Sequence, residues 1–249
     1  MPPETNSNPY DVPDSLVGET TTGPVAAVSL PAGNGLNWIS DAWSLFKQAP
    51  WMMIGLWLVL MIVLTAANMI PFVGQILTPA LMAGFMLGLA QLENKGVLRI
   101  ETLFQGFKTH AGPLLVLGVI FVLTVLLVSV VFGVAIALTL TAMGGDSAVV
   151  AILGALVLLI LGITFILLVV FAMWWAPCLV VFNELRPAAA MKTAIGAIFH
   201  NLLPLLVYSL ILVLLYLAVV VTVGLGIFVV APLVIVSAYT SYKDIFRPV

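Results

Sequence analysis

The sequence predicts an all-α integral membrane protein with six transmembrane helices, arranged as three tandem units of interfacial helix, span and span. Three observations carry that prediction. Only 18 of 249 residues are Asp, Glu, Lys or Arg, or 7 %, against about 25 % in ordinary soluble domains. Hydrophobic residues make up 63 % and the mean hydropathy is +1.26, more apolar surface than a globule of this size can hide from water. Finally, the few charges punctuate long uncharged runs, each of a length that crosses a bilayer.

The chain opens on residues 1–33, rich in Pro, Thr, Asn, Gly and Ser, with Glu4, Asp11, Asp14 and Glu19 and no Lys or Arg. It lacks an apolar core and does not read as a signal peptide. Such a composition cannot bury enough surface to offset the entropy of ordering. It is expected to be a flexible acidic tail ahead of a six-span domain, residues 34–249.

Span 1 begins at Pro50 and ends near Met69, before the turn Ile70-Pro71-Phe72-Val73-Gly74. Span 2 follows from about Gln75 to Leu92 and stops at Glu93-Asn94-Lys95. Span 3 lies in the uncharged run Ala111 to Gly145, which exceeds one perpendicular crossing and must tilt or project. A turn at Gly144-Gly145-Asp146-Ser147 leads to span 4, Ala148 to Phe182. The run between Lys192 and Lys243 holds spans 5 and 6, divided near Thr222-Val223-Gly224-Leu225-Gly226.

On this map Lys47, Lys95, Arg99, Lys108, Arg186, Lys192, Lys243 and Arg247 all fall on one side of the membrane. The positive-inside rule makes that side cytoplasmic and places both termini there. A wrong span count would scatter these charges.

Before spans 1, 3 and 5 lies a short amphipathic segment: Leu36–Lys47, Glu101–Lys108 and Pro187–His200. Their expected apolar faces are Ile39, Trp43 and Phe46; Leu103, Phe104 and Phe107; and Met191, Ile195, Ile198 and Phe199. Each reads as a helix in the headgroup plane. Each ends in an aromatic and a basic residue, then a proline: Phe46-Lys47 with Pro50, Phe107-Lys108 with Pro113, Phe199-His200 with Pro204. The second span of each unit carries an internal proline, at Pro79, Pro177 and Pro232. The order of features recurs three times, though residue identity is weak.

A proline within a helix removes one donor and displaces the carbonyl four residues back, here of Gln75, Met173 and Phe228. Two readings fit: three packing kinks, or a ring of polar kink positions near the bundle axis. Small residues recur every four positions at Ala80, Gly84 and Gly88, at Ser129, Gly133, Ala137 and Thr141, and at Ser147, Ala151 and Ala155. Such stripes let helices approach closely, within one chain or in a homodimer.

No charged residue lies well inside a span, which argues against pumps, proton-coupled transporters and voltage sensors. No zinc, nucleophile-elbow or phosphate-loop motif is present. The net charge is −2 and no basic patch marks a nucleic-acid binder. The single cysteine, Cys178, excludes an intrachain disulfide and reads as a small packing residue. No catalytic residue, metal site or cofactor is expected. Lys47, Lys108, His110, Lys192 and His200 are candidate headgroup contacts at the interface, or ordinary snorkelling residues.

Leu36–Phe46, with Trp38-Ile39 and Ala42-Trp43, resembles the opening of a family of uncharacterised bacterial six-span inner-membrane proteins. Pro79-Ala80-Leu81-Met82-Ala83-Gly84-Phe85, then Leu103-Phe104-x-Gly106-Phe107, is similar to the same family. So is the ending Ala238-Tyr239-Thr240-Ser241-Tyr242-Lys243-Asp244-Ile245-Phe246, which matches its Ser-Tyr-Lys/Arg-Asp-Ile-Phe close. The resemblance covers about residues 34–249 and implies an inner-membrane location but no catalytic residue. A more distant similarity is to the membrane domain of glycerophosphodiester phosphodiesterases, whose chemistry resides in a separate soluble domain. The expected function is a non-enzymatic interaction or assembly module, with the bilayer, other membrane proteins or a second copy as partners. The alternative is passage of lipids or small uncharged solutes.

Overall fold

Helix formation follows from the solvent: in hydrocarbon every backbone group must be satisfied internally, so each apolar run closes on itself as a helix. The computed structural model describes residues 27–142 and 148–246, and among these no strand occurs. Nine α-helices are described: α1 Asn34–Phe46, α2 Pro50–Ala67, α3 Val73–Lys95, α4 Gln105–Thr109, α5 Ala111–Ala142, α6 Ala148–Phe182, α7 Pro187–His200, α8 Leu202–Val221 and α9 Ile227–Ile245. A 3-10 turn, Ile100–Phe104, leads into α4. Six of these helices, α2, α3, α5, α6, α8 and α9, are long and apolar enough to cross a membrane. The chain is a multi-pass membrane protein.

The spans match the expected ones closely, because charge and proline mark their ends. Pro50 occupies the first turn of α2 and Pro187 that of α7, where a missing N–H costs nothing. Gly96, at φ 67°, ends α3 with its N–H on the Leu92 carbonyl, the left-handed cap that glycine adopts without a Cβ penalty. The α2–α3 turn places Phe72 at φ 67°, and the Asn68 side chain nests where a Cβ on Gly74 would stand. The expected turn at Gly144–Ser147, Arg247 and residues 1–26 lie outside the described residues.

The three proline-bearing spans α3, α6 and α9 touch one another. α3 and α9 are largely buried, whereas α2 and α8 are mostly exposed on the outside. The 3-10 turn and α4 dock on α3, α7 docks on α6, and α1 docks on α9 and α8. The first helix therefore packs against the end of the chain.

At 1.5 Å per residue, α5 (32 residues) is about 48 Å long and α6 (35 residues) about 52 Å, well beyond a hydrocarbon core of about 30 Å. α5 packs on α3 near its start, where Gly118 lies against the Ile76 backbone. The middle and distal parts of the hairpin are zipped by Gly162 on Phe132 and Gly154 on Thr139. Its outer residues, such as Leu127, Leu138, Leu153 and Ile160, are exposed.

Two expectations are corrected. The apolar face of α1 is not Ile39, Trp43 and Phe46. The buried residues are Gly35, Trp38, Ala42, Leu45 and Phe46, while Trp43 is 43 % exposed. Gly35 lies on the Pro204 carbonyl and 2.8 Å from the Tyr208 amide nitrogen when a Cβ is placed on it. Close approach selects this face, and hydrophobicity does not. Nor does the tail extend to Gly33, since residues 28–30 are bonded to the bundle. Val28 N–H donates to Ile245 O (2.9 Å), Ser29 Oγ to His200 O (3.0 Å) and Leu30 N–H to Asn201 Oδ1 (3.0 Å). Asn201 Nδ2 donates to Val28 O (3.0 Å) and to Ala197 O (3.1 Å).

Candidate functional site

The polar residues collect where α3, α6 and α9 end and α1 begins. Tyr239 Oη donates to Glu93 Oε2 (3.0 Å), and Lys243 pairs with the other oxygen of the same carboxylate. Tyr242 Oη donates to Asn183 Oδ1 (2.5 Å), and its ring stacks on Phe182 with centroids 5.5 Å apart. Asp244 accepts from Asn34 Nδ2 (2.7 Å) and Trp38 Nε1 (2.9 Å). Thr240 Oγ1 donates to the Trp38 carbonyl at 2.8 Å. These bonds tie α1 to α9 antiparallel and couple α9 to the ends of α3 and α6.

Between α1, the end of α3 and α9 lies a polar cleft of about 590 Å³. Asn37, Asp41, Ser44, Gln48, Glu93 and Lys243 face it. Among the described residues Lys243 pairs there with Glu93, and the two side chains are 46 % and 39 % exposed. Exposed pairs contribute about 0–1 kcal/mol. Lys243→Met is therefore expected to shift the unfolding midpoint in detergent only marginally. A large loss of stability would show that the pair holds α3 to α9.

The sequence-predicted positions divide. Lys47, Lys108, Lys192 and His200 are exposed at the ends of α1, α4 and α7 or on them, and do not converge. His200 Nδ1 lies 2.7 Å from the Gly196 carbonyl of its own helix. His110 joins α4 to α5, and its Nδ1 is buried with no partner among the described residues. All seven basic side chains in the described residues are exposed, and one forms a salt bridge. No group of three His, Cys, Asp or Glu able to hold a metal occurs among the described residues.

Pro79, Pro177 and Pro232 are all buried, but they are not level. Pro79 and Pro232 stand near the starts of α3 and α9, and Pro177 near the end of α6. Gln75 and Phe228, which carry two of the displaced carbonyls, are exposed, and Met173 is half-buried. The structure does not gather the three into a ring. The inner spans meet instead through buried apolar residues such as Leu81, Phe85, Leu179 and Val236.

The small-residue stripes also divide. Ala80, Gly84 and Gly88 face the chain itself. A Cβ on Gly84 would strike the Leu103 carbonyl, one on Gly88 would stand 2.5 Å from Thr102 Oγ1, and one on Gly106 would strike the Ala80 carbonyl. Ala151 and Ala155 are buried; Ser147 lies outside the described residues. By contrast Ser129, Gly133, Ala137 and Thr141 are all exposed, and a Cβ on Gly133 meets nothing within 4 Å.

Sequence reasoning missed Asn201, Asp244 and Thr240. The partners that tie them into the tertiary fold are 171 to 210 residues away in the chain, so no local pattern marks them. No protein-family model, curated protein or solved structure matches this chain.

Proposed function

We propose that this chain is a non-enzymatic assembly module of a bacterial inner membrane, with both termini cytoplasmic, and that it associates through α5. The carrying observation is the outer face of α5, where Ser129, Gly133, Ala137 and Thr141 form an exposed stripe that no other described helix covers. In lipid, helices associate by close packing, and small residues permit it. The other stripes with described positions are used internally, against the 3-10 turn and α4 or within the α5–α6 hairpin. The hairpin also exceeds the bilayer thickness, a mismatch that association relieves. The recurrent docking of a short helix on α3, α6 and α9 supports the threefold unit, and the exposed basic ends support the orientation.

The test is disulfide trapping in nanodiscs. In a Cys178→Ala background, Ala137→Cys is expected to yield a covalent dimer, and Leu210→Cys on exposed α8 is not. Gly133→Leu should abolish the Ala137→Cys cross-link. A protein that is monomeric in nanodiscs and shows no Ala137→Cys dimer would sink the reading. Lipid or solute passage is the competing function, and the buried apolar junction of α3, α6 and α9 favours assembly over it. Reconstituted vesicles are expected to flip fluorescent lipid no faster than empty ones.

A further inference from the structure

The polar cleft between α1, the end of α3 and α9 has a volume of about 590 Å³, and none of its lining residues belongs to α5. Its size is that of a small-molecule site. It is long: Asn34 and Ser44, both in its wall, stand ten residues apart on α1, about 15 Å. The side chains of Asn37, Asp41, Ser44 and Gln48 face it and bond to no other described residue. Its carboxylates are spread along it rather than gathered. Asp41 is on α1, Glu93 is at the end of α3, and Asp244, near the end of α9, accepts from Asn34 and Trp38. One ammonium already sits in the cleft. Lys243 Nζ pairs with Glu93 and stands 5.6 Å from the centroid of the Tyr239 ring, a cation–π distance.

We infer that this cleft binds a linear aliphatic polyamine. Among the described lining residues three carboxylates stand against one ammonium, which leaves two negative charges. An anion would meet that charge with no free cation in the described lining to receive it. A zwitterionic lipid headgroup fails in the same way, because its phosphate finds no partner. A metal ion needs converging ligands, and no group of three His, Cys, Asp or Glu able to hold one occurs among the described residues. The class that fits is an organic cation of two or more charges. The wall supplies the acceptors its N–H groups need: carboxylate oxygens, the side-chain carbonyls of Asn37 and Gln48, and the Ser44 hydroxyl. Lys243, held by Glu93 over the Tyr239 ring, shows how this wall seats an ammonium. Charges spaced along an extended chain match carboxylates spaced along the cleft, whereas a compact cation engages them one at a time. Glu93 and Lys243 lie two residues before the ends of α3 and α9, so the cleft stands at the end of two spans, open to water-borne amines. The inference holds whether or not the chain self-associates.

The probe is spermidine, titrated into the full-length protein in phosphatidylcholine nanodiscs and followed by calorimetry against empty nanodiscs. Saturable binding is expected, weakening as salt is raised. Asp41→Asn removes one charge from an exposed side chain that bonds to nothing described. It should leave the fold intact and weaken binding about fivefold, the upper worth of an exposed ion pair. Lys243→Met removes the resident ammonium and frees Glu93, so binding should tighten by about the same factor. A cleft with a purely structural role predicts no such tightening. Butylamine, with a single charge, should bind more weakly than spermidine. Absence of saturable binding to the wild type overturns the inference, as does an affinity that both substitutions leave unchanged, or butylamine binding as tightly as spermidine. Replacing part of the phosphatidylcholine with phosphatidylethanolamine should not displace spermidine. Displacement would assign the cleft to a lipid ammonium and overturn the polyamine.

Discussion

Gly84→Ala is expected to destabilise the protein by roughly 3 kcal/mol or more, while Gly133→Ala leaves stability within about 0.5 kcal/mol of the wild type. Both glycines belong to small-residue stripes of identical spacing. At Gly84 the added methyl meets the Leu103 carbonyl, with the Thr102 carbonyl 2.8 Å away. These are backbone atoms, which cannot rotate aside as a side-chain tip does. The contact is also reciprocal, since Gly106 lies on the Ala80 carbonyl. Separating α3 from the 3-10 turn at one point opens the whole seam, including Gly88 on Thr102. At Gly133 a methyl meets open space. The check is the unfolding midpoint of each variant in detergent, by circular dichroism or thermal aggregation. Equal midpoints for the two variants would refute the close-packed seam.

Asn201→Ala is expected to cost about 2–3 kcal/mol and to free the N-terminal strap. Asn201 has no exposed surface. It accepts from Leu30 N–H and donates to the Val28 and Ala197 carbonyls. Alanine removes all three bonds at once. Each bond contributes about 1 kcal/mol net, and a donor left buried without an acceptor costs more. Residues 28–30 bridge Asn201, His200 and Ile245, so losing the anchor exposes that backbone to protease. Limited proteolysis followed by mass analysis should show cleavage within residues 27–33 in Asn201→Ala. It should show none in the wild type or in Lys192→Ala, whose side chain is exposed on the neighbouring helix. Protection of the strap in Asn201→Ala would mean that α1 packing on α8 and α9 holds it without the amide.

The span boundaries were legible for a simple reason: charge and proline end helices locally, and lipid makes any long uncharged run a helix. Span 4 was read as Ala148–Phe182 and the third short helix as Pro187–His200, and both boundaries stand as read. Which face of a short helix packs inward was not legible. In water an aromatic stripe points to the core, but beside lipid an outward Trp43 is as well placed as an inward Trp38. What separates them is the hydrogen bond from Trp38 to Asp244 and the glycine approach at Gly35. The proline ring failed on depth, because position in the sequence does not fix how far a long helix projects. Pro177 stands near the end of a 35-residue helix, whereas Pro79 and Pro232 stand near the starts of shorter ones.

The sequence alone determined an all-α multi-pass membrane protein, because composition settles the solvent and the solvent settles the secondary structure. Only the tertiary structure decided which helices meet. It folded α1 back onto α8 and α9, consumed one small-residue stripe and left another open, and left His110 Nδ1 and Trp174 Nε1 buried without partners among the described residues. These outcomes depend on partners far apart in the chain and on close backbone approach. In a membrane, where hydrophobicity cannot tell inside from outside, close packing and hydrogen bonding make that choice.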